Sequence, residues 1–177
     1  MREGLQMSNE DQLELIQQLR NGIKNYLDLD DDHCYIYNNK WKDINDKGLY
    51  VVVGIDSEEV LANNLQYTRT EDKLLSHSSI IVETNFFIDF FSYNIEARRR
   101  RYEVLSYLSS DNCEFYQEQR AYRVYRIPTA FRDLSTEEGS KILNRFRIDF
   151  KVHHSTQFTK ESPYYDKLGG KKVYFNN

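Results

Sequence analysis

Four consecutive arginines, Arg98 to Arg101 in EARRRRYEV, are the densest run of chemically capable side chains in the sequence, yet the chain's formal net charge is −4. Arginines in such a run can hold phosphate through counterion release, pair with carboxylates, or lay their stems along apolar surface while the heads reach water. With 24 Lys plus Arg against 28 Asp plus Glu, the average field repels a polyanion, so any nucleic-acid grip has to be local. Arg120, Arg123 and Arg126 would be its natural extension.

Other candidate chemistry is weaker. The run DLDDDH, Asp28 to His33, has carboxylates enough for calcium but lacks the turn glycine and the downstream bidentate glutamate of a calcium loop, so it reads as a solvated acidic loop. His153 and His154 are adjacent, point to opposite faces of any strand, and cannot share a metal. His33 has only Cys34 beside it, and His77 has no ligand neighbour. Cys34 and Cys113 lie in unrelated surroundings and read as two reduced thiols. Glu137 and Glu138 are adjacent carboxylates in a turn. No GxSxG, HExxH or phosphate-cradling glycine loop occurs, and there are seven glycines in all. The expectation is no catalytic residue, no cofactor and no metal.

The elements that must carry these residues follow from periodicity. In SNEDQLELIQQLRNGIKNYL, Leu13, Ile16, Leu19, Ile23 and Leu27 recur at helical steps behind an N-cap at Ser8. CYIYNN suggests a short strand. The apolar run Leu49 to Val53 reads as a strand covered on both faces, with Gly54 at a bulge or bend. From Asp56 to Ser78 the pattern is weak, and a continued hairpin and a long contact loop both fit. SIIVETNFFIDFFS alternates: Ile80, Val82, Phe86, Ile88 and Phe90 form an oily face, while Phe87 and Phe91 stand beside Glu83 and Asp89 on a mixed one. NIEARRRRYEVLSYLSS is a second helix capped by Asn94, burying Ala97, Tyr102, Val104, Leu105 and Leu108. Its arginines turn by roughly 100° per residue, so they fan around the helix instead of sharing one phosphate track.

RAYRVYRIPTAF gives a short strand ended by Pro128, and LSTEEGS a turn-like connection. ILNRFRIDFKVHH then alternates Ile142, Phe146, Ile148, Phe150 and Val152 against Arg145, Arg147, Asp149, Lys151 and His153. A one-residue slip would bury the charges, so the register is strongly specified. After His154 the pattern fades into a tail whose Pro163, Gly169 and Gly170 oppose a continuing element, while Tyr164, Tyr165, Tyr174 and Phe175 suit docking on a neighbour. These elements predict an α+β fold: a mostly antiparallel sheet of about four to five strands with two main helices packed on one face, residues 1–155 as one domain and 156–177 as an extended tail ordered by assembly. The opposite face, bearing Glu83, Asp89, Arg145, Arg147, Asp149 and Lys151, is left uncovered in the monomer. Fourteen Tyr and ten Phe favour partly buried subunit contacts. No apolar run approaches the roughly 18 residues of a membrane span.

The order FFIDFFSYNIEARRRRYEVLSYL, then YRVYRIPTAFRDLS, then ILNRFRIDFKVHHS resembles the tail-terminator (neck terminator) family of long-tailed bacteriophages. The shared pattern is a strand ending in an F-x-x-Y-N turn into a helix, a V-x-R-I strand, and a closing strand of the R-F-x-I-D-F-x-V type, over roughly Ser79 to Ser155. DINDKGLY stands where the family has a proline-rich approach to its first strand. The resemblance implies a non-enzymatic virion protein, made in the bacterial cytoplasm, that forms a ring of six subunits, caps the tail tube and joins it to the head-completion protein of the neck. Genomic DNA would pass through a neutral or acidic lumen without specific binding. Candidate subunit or partner contacts are Phe87, Asp89, Phe91, Arg98, Arg99, Arg100, Arg145, Arg147, Asp149, Lys151, Tyr164 and Tyr165. The alternatives are another head–tail joining or tail-completion protein, or a nucleic-acid-binding module using Arg98 to Arg101.

Overall fold

The structure, a computed structural model, describes residues 9–39, 47–70, 73–119, 122–127, 129–139, 141–162, 167–168 and 171–172. Helix α1 spans Asn9–Tyr26. Leu15, Ile16, Leu19 and Ile23 are buried on it and Leu27 just past its end, all but Leu15 on the predicted stripe; Ser8 and the Leu13 side chain lie outside the described residues. The helix ends with Asp28 in the left-handed region, φ 52°. There Asp28 N–H donates to Asn25 O and Leu29 N–H to Lys24 O, the paired bonds that close a Schellman end.

Strand β1, Cys34–Ile36, is followed by β2, Tyr50–Arg69, and β3, Leu74–Ser92. Helix α2 covers Glu96–Leu108 and α3 Asp111–Gln119; β4, Tyr122–Arg126, and the short β5, Arg132–Asp133, and β6, Thr136–Glu138, lead into β7, Lys141–Ser162. Strands β8, Lys167–Leu168, and β9, Lys171–Lys172, form a separate small pair. The main sheet has seven strands in the order β1-β2-β3-β7-β4, with β5 and β6 also on β7.

This corrects the predicted architecture. The sheet is mixed, since β1 runs parallel to β2, it has seven strands instead of four or five, and three helices are described. A three-residue strand carries no readable alternation. The connection LSTEEGS hides β6, which pairs with β7 around Gly139 at φ 63°, the left-handed position a tight hairpin turn asks of glycine. Among the described side chains of α3 the one buried residue is Cys113, too little apolar periodicity to mark a helix.

The core lies between the three helices and one sheet face. Val51, Val53, Phe86, Ile88, Phe90, Phe146, Ile148, Phe150 and Val152 meet α1, α2 and Cys113 there. On α2 the buried tyrosine is Tyr107, at 2% exposure, and the predicted Tyr102 is 57% exposed. Gly22 makes room for Tyr107: a Cβ on Gly22 would fall 1.8 Å from the Tyr107 hydroxyl. Gly54 does the same for its cross-strand partner Phe87, whose ring would lie 2.2 Å from an added Cβ.

Candidate functional site

The sheet face opposite the helices is not open. Phe87, Asp89 and Phe91 are 3%, 3% and 5% exposed, which corrects the expected uncovered face. Tyr50, Val52 and Phe91 form a second small cluster with Tyr35 and Leu143, and Tyr50 stacks on Phe91 at 5.5 Å. The charges of β7 fold down over β3. Because Asp89 lies opposite Arg147, its carboxylate accepts from Arg147 Nε and Nη2 at 2.6 Å each and from Arg145 Nη2 at 2.7 Å. The same Arg147 guanidinium lies 4.0 Å above the Phe87 ring. The Asp89 carboxylate raises the Arg147 pKa further.

Glu83, three pleat repeats from Asp89 on the same face of β3, repeats the arrangement: Lys151 donates to one oxygen, and His153 Nε2 meets the other at 2.8 Å. Hydrogen bonds from Lys151, then His153, hold the Glu83 carboxyl below its usual range, and the carboxylate in turn lifts the Lys151 ammonium. Asp149 is tied to Arg132 at 2.7 Å. An open cleft of about 620 Å³ beside these ion pairs is lined by Asp56, Asn85, Tyr125, Arg132, Asp149 and Lys151.

The arginine run divides among several directions. Arg100 pairs with Glu103 at 3.1 Å and donates to Leu27 O at the end of α1, so it ties two helices together. Arg101 sits in a cage of the chain's own rings, 4.6 Å from the Phe146 centroid, 4.9 Å from Tyr102 and 5.2 Å from Phe131. Arg98 reaches the Phe146 ring at 5.9 Å, and both Arg98 and Arg99 are exposed. The helix start is fixed by Ser92 and Asn94: Asn94 Oδ1 accepts from Glu96 N–H at 2.7 Å and Ser92 Oγ from Ala97 N–H at 3.0 Å.

The two adjacent histidines do face opposite ways. His154, 3% exposed, sits on the helix side with Nε2 3.0 Å from Thr84 Oγ1, which also lies 3.0 Å from Glu58 Oε1. A carboxylate only accepts and a hydroxyl has one proton, so Thr84 donates to Glu58 and accepts from His154 Nε2–H. His154 Nδ1 is then a bare acceptor, buried and without a hydrogen-bond partner among the described residues. Thr84 and His154 are 1% and 3% exposed, which shuts the hydroxyl and the imidazole away from solvent, while Glu58 at the rim is exposed. Burial pushes the His154 pKa below 6.5; Glu58 opposes that shift and His153 adds to it. Folding therefore selects the neutral ring, and its stabilising effect is complete above pH 6.5 and lost as pH falls toward the lower folded value, because the unfolded chain takes up the proton first. The urea midpoint of the wild type is expected to decline as pH falls below about 6.5, while that of His154→Gln declines less. Equal declines in both would exclude His154 as the source.

Asp31 of the acidic loop pairs with Arg20 at 2.7 Å and Lys24 at 3.0 Å, and Asp30 with His33 at 2.6 Å. Among the described residues no group of three His, Cys, Asp or Glu is placed to hold a metal ion. Burial pushes the Cys34 thiol up to about 12 and raises that of Cys113, which leaves neither as a nucleophile. No helix among the described residues is long and apolar enough to cross a membrane. Tyr164 and Tyr165 lie outside the described residues.

Of the two readings open for Asp56 to Ser78 the structure has the continued hairpin, and what sequence reasoning missed is how far β7 follows it: β2, β3 and β7 have 20, 19 and 22 residues. At about 3.3 Å per residue these strands extend roughly 60 Å. Only one end of each backs the core, the first part of β2 and β7 and the last part of β3. Beyond it they continue as a three-stranded arm in which no residue from Ser57 to Arg69 is buried, and β7 does not fade at His154 but runs on through Ser162. Val60, Leu61, Leu65, Tyr67, Ile81 and Phe158 are exposed along it. Bulges at Asp56 and Leu61 break the register of β2 against β3 where the arm begins. The signal for the arm was the even polarity of Asp56 to Ser78, which suits strands wet on both faces as well as it suits a loop. Comparison with known proteins finds no matching family model and no matching curated sequence.

Proposed function

We propose that the chain is a structural virion protein, a ring that terminates a phage tail tube and connects it to the head-completion proteins of the neck. The observation that carries this reading is the arm: three long strands leave a complete core and present apolar side chains on a surface the monomer does not use. Exposed apolar patches of this kind mark sites where another chain binds. The order of elements supports it too, with a long strand, a Ser92 and Asn94 turn, the α2 helix and a closing alternating strand in the sequence of the terminator pattern. In this reading the protein is no enzyme, and the lumen is neutral or acidic so that DNA passes without being held. The nucleic-acid alternative loses two of its four arginines, because Arg100 and Arg101 are committed to Glu103, Leu27 O and the aromatic cage.

The test is disruption of the gene in the phage that encodes it. The expected micrographs show filled heads and separate tail tubes, with joining restored when purified protein is added to the lysate. Normal infectious particles from the disrupted phage would overturn the proposal.

A further inference from the structure

The arm has two open edges, and their positions match. Ala62–Arg69 of β2 pair with Ile81–Leu74 of β3, which pair in turn with Ser155–Ser162 of β7. On the outer side, β1 reaches β2 only at Val51, Val52 and Val53, and β4 reaches β7 only from Lys151 to His154. Among the described residues, then, the positions from Ala62 to Thr68 and from Ser155 to Ser162 have no strand outside them. Monomeric proteins blunt such edges with proline, repeated charge or bulges. Here ANNLQYTR carries one charge and STQFTKES two, neither contains proline or glycine, and both β2 bulges lie before the open stretch.

We propose that these edges join copies of this chain: β2 Ala62–Arg69 of one copy lies parallel to β7 Ser155–Ser162 of the next, continuing the sheet across the seam. This rests on the assembly part of the ring reading, and names its partner and its strands. β2 and β7 are each antiparallel to β3, so they run parallel to each other, and a neighbour related by rotation about an axis along the arm meets β7 with its β2 in that same sense. On the helix side, Leu65 stands level with Phe158 through Ser78, and Tyr67 is the next residue on the same face. Leu65, Tyr67 and Phe158 are 55%, 58% and 39% exposed in the monomer, and the seam puts them in contact. Charge agrees at the base of the arm: Asp56, Glu58 and Glu59 are exposed on the β2 side, and Arg123 and Lys151 on the β4 and β7 side. The contact is heterologous, using different surfaces on the two partners, so it closes into a ring when the rotation allows.

The test uses purified full-length protein and no phage, so its failure is separable from failure of the virion reading. Wild type is expected to sediment as a closed multimer. Leu65→Lys and Phe158→Lys are each expected to sediment as monomers with wild-type circular dichroism, since both positions are exposed. An equimolar mixture of the two variants is expected to form a one-to-one heterodimer, because the intact β7 edge of the first meets the intact β2 edge of the second. As a second measure, Asn64→Cys and Gln157→Cys, level with each other through Ser79, are expected to give a ladder of covalent multimers with a short bis-maleimide, to which both thiolates add, when combined in one chain and none singly. A monomeric wild type without a ladder, a mixture that stays monomeric, or single-cysteine variants that cross-link as well as the double would each overturn the proposal.

Discussion

Replacing Asp89 with asparagine is expected to destabilise the protein by about 3 kcal/mol, at the lower end of what breaking a buried ion pair costs. The side chain keeps its volume but loses the charge that holds two guanidiniums, Arg147 by two bonds and Arg145 by one. Asp89 is 3% exposed, whereas the Arg145 and Arg147 side chains are 40% and 19% exposed. The cations can thus recover part of their hydration, which places the effect at the lower end. Most of the loss is the cost of the orphaned charges and little of it the net worth of the pair. The double variant Asp89→Leu with Arg147→Met removes the bidentate pair and leaves Arg145, 40% exposed, to water, and is expected to lie within about 1 kcal/mol of wild type. Urea denaturation of the three proteins reads both effects. A single variant as stable as wild type would mean that the face bearing Asp89 is not buried in solution.

The second large effect is expected from Phe146→Ala, a loss of about 4 kcal/mol. Phe146 is 2% exposed and lies in the core against α2, and its ring is the nearest of the three that surround the Arg101 guanidinium. The alanine variant opens a cavity and removes that face. A double-mutant cycle with Arg101→Met separates the two terms: the coupling between the positions is expected near 1 kcal/mol. Zero coupling would mean that Arg101 does not use the ring. If the coupling is present, one of the four arginines is a core-packing residue, and a reading of the run as a DNA grip loses it.

The parts of this fold that were legible in the sequence are those where one face is oily and the other charged. Ile148, Phe150 and Val152 against Arg147, Asp149 and Lys151 set both the strand and its register, and Leu19, Ile23 and Leu27 set the first helix. Strands buried on neither face left no such mark: Asn63, Asn64, Gln66 and Thr68 are as compatible with a loop as with the arm. The short strand in CYIYNN was legible as β1, but three residues do not write its parallel direction, and α3 was hidden because Cys113 is the one buried residue among its described side chains. The ion pairs were visible as alternating charges but not as pairs, because Asp89 and Arg147 lie 58 residues apart and meet only once the register of β3 on β7 is known. The closed state of the second face was missed for the same reason. Phe87 and Phe91 seemed free to meet another chain until Tyr37, Tyr50 and Arg147 were placed against them.

The central position of β3 also governs how the chain reaches this state. Its pairing with β2 is local, across the four-residue span from Thr70 to Lys73, where Thr70 N–H bonds to Lys73 O at 2.8 Å. Its pairing with β7 joins residues as far apart as 70 and 88 positions. Non-local closure of this kind slows folding, because loop entropy is lost before the contacts form. The two strands of the hairpin are therefore synthesised together, with one long side of β3 unsatisfied until β7 follows α2, α3 and β4 to β6 out of the ribosome. Synthesis imposes a waiting period in which Phe86, Ile88 and Phe90 have half their partners, and a chaperone or fast docking of α1 would protect the nascent chain through it.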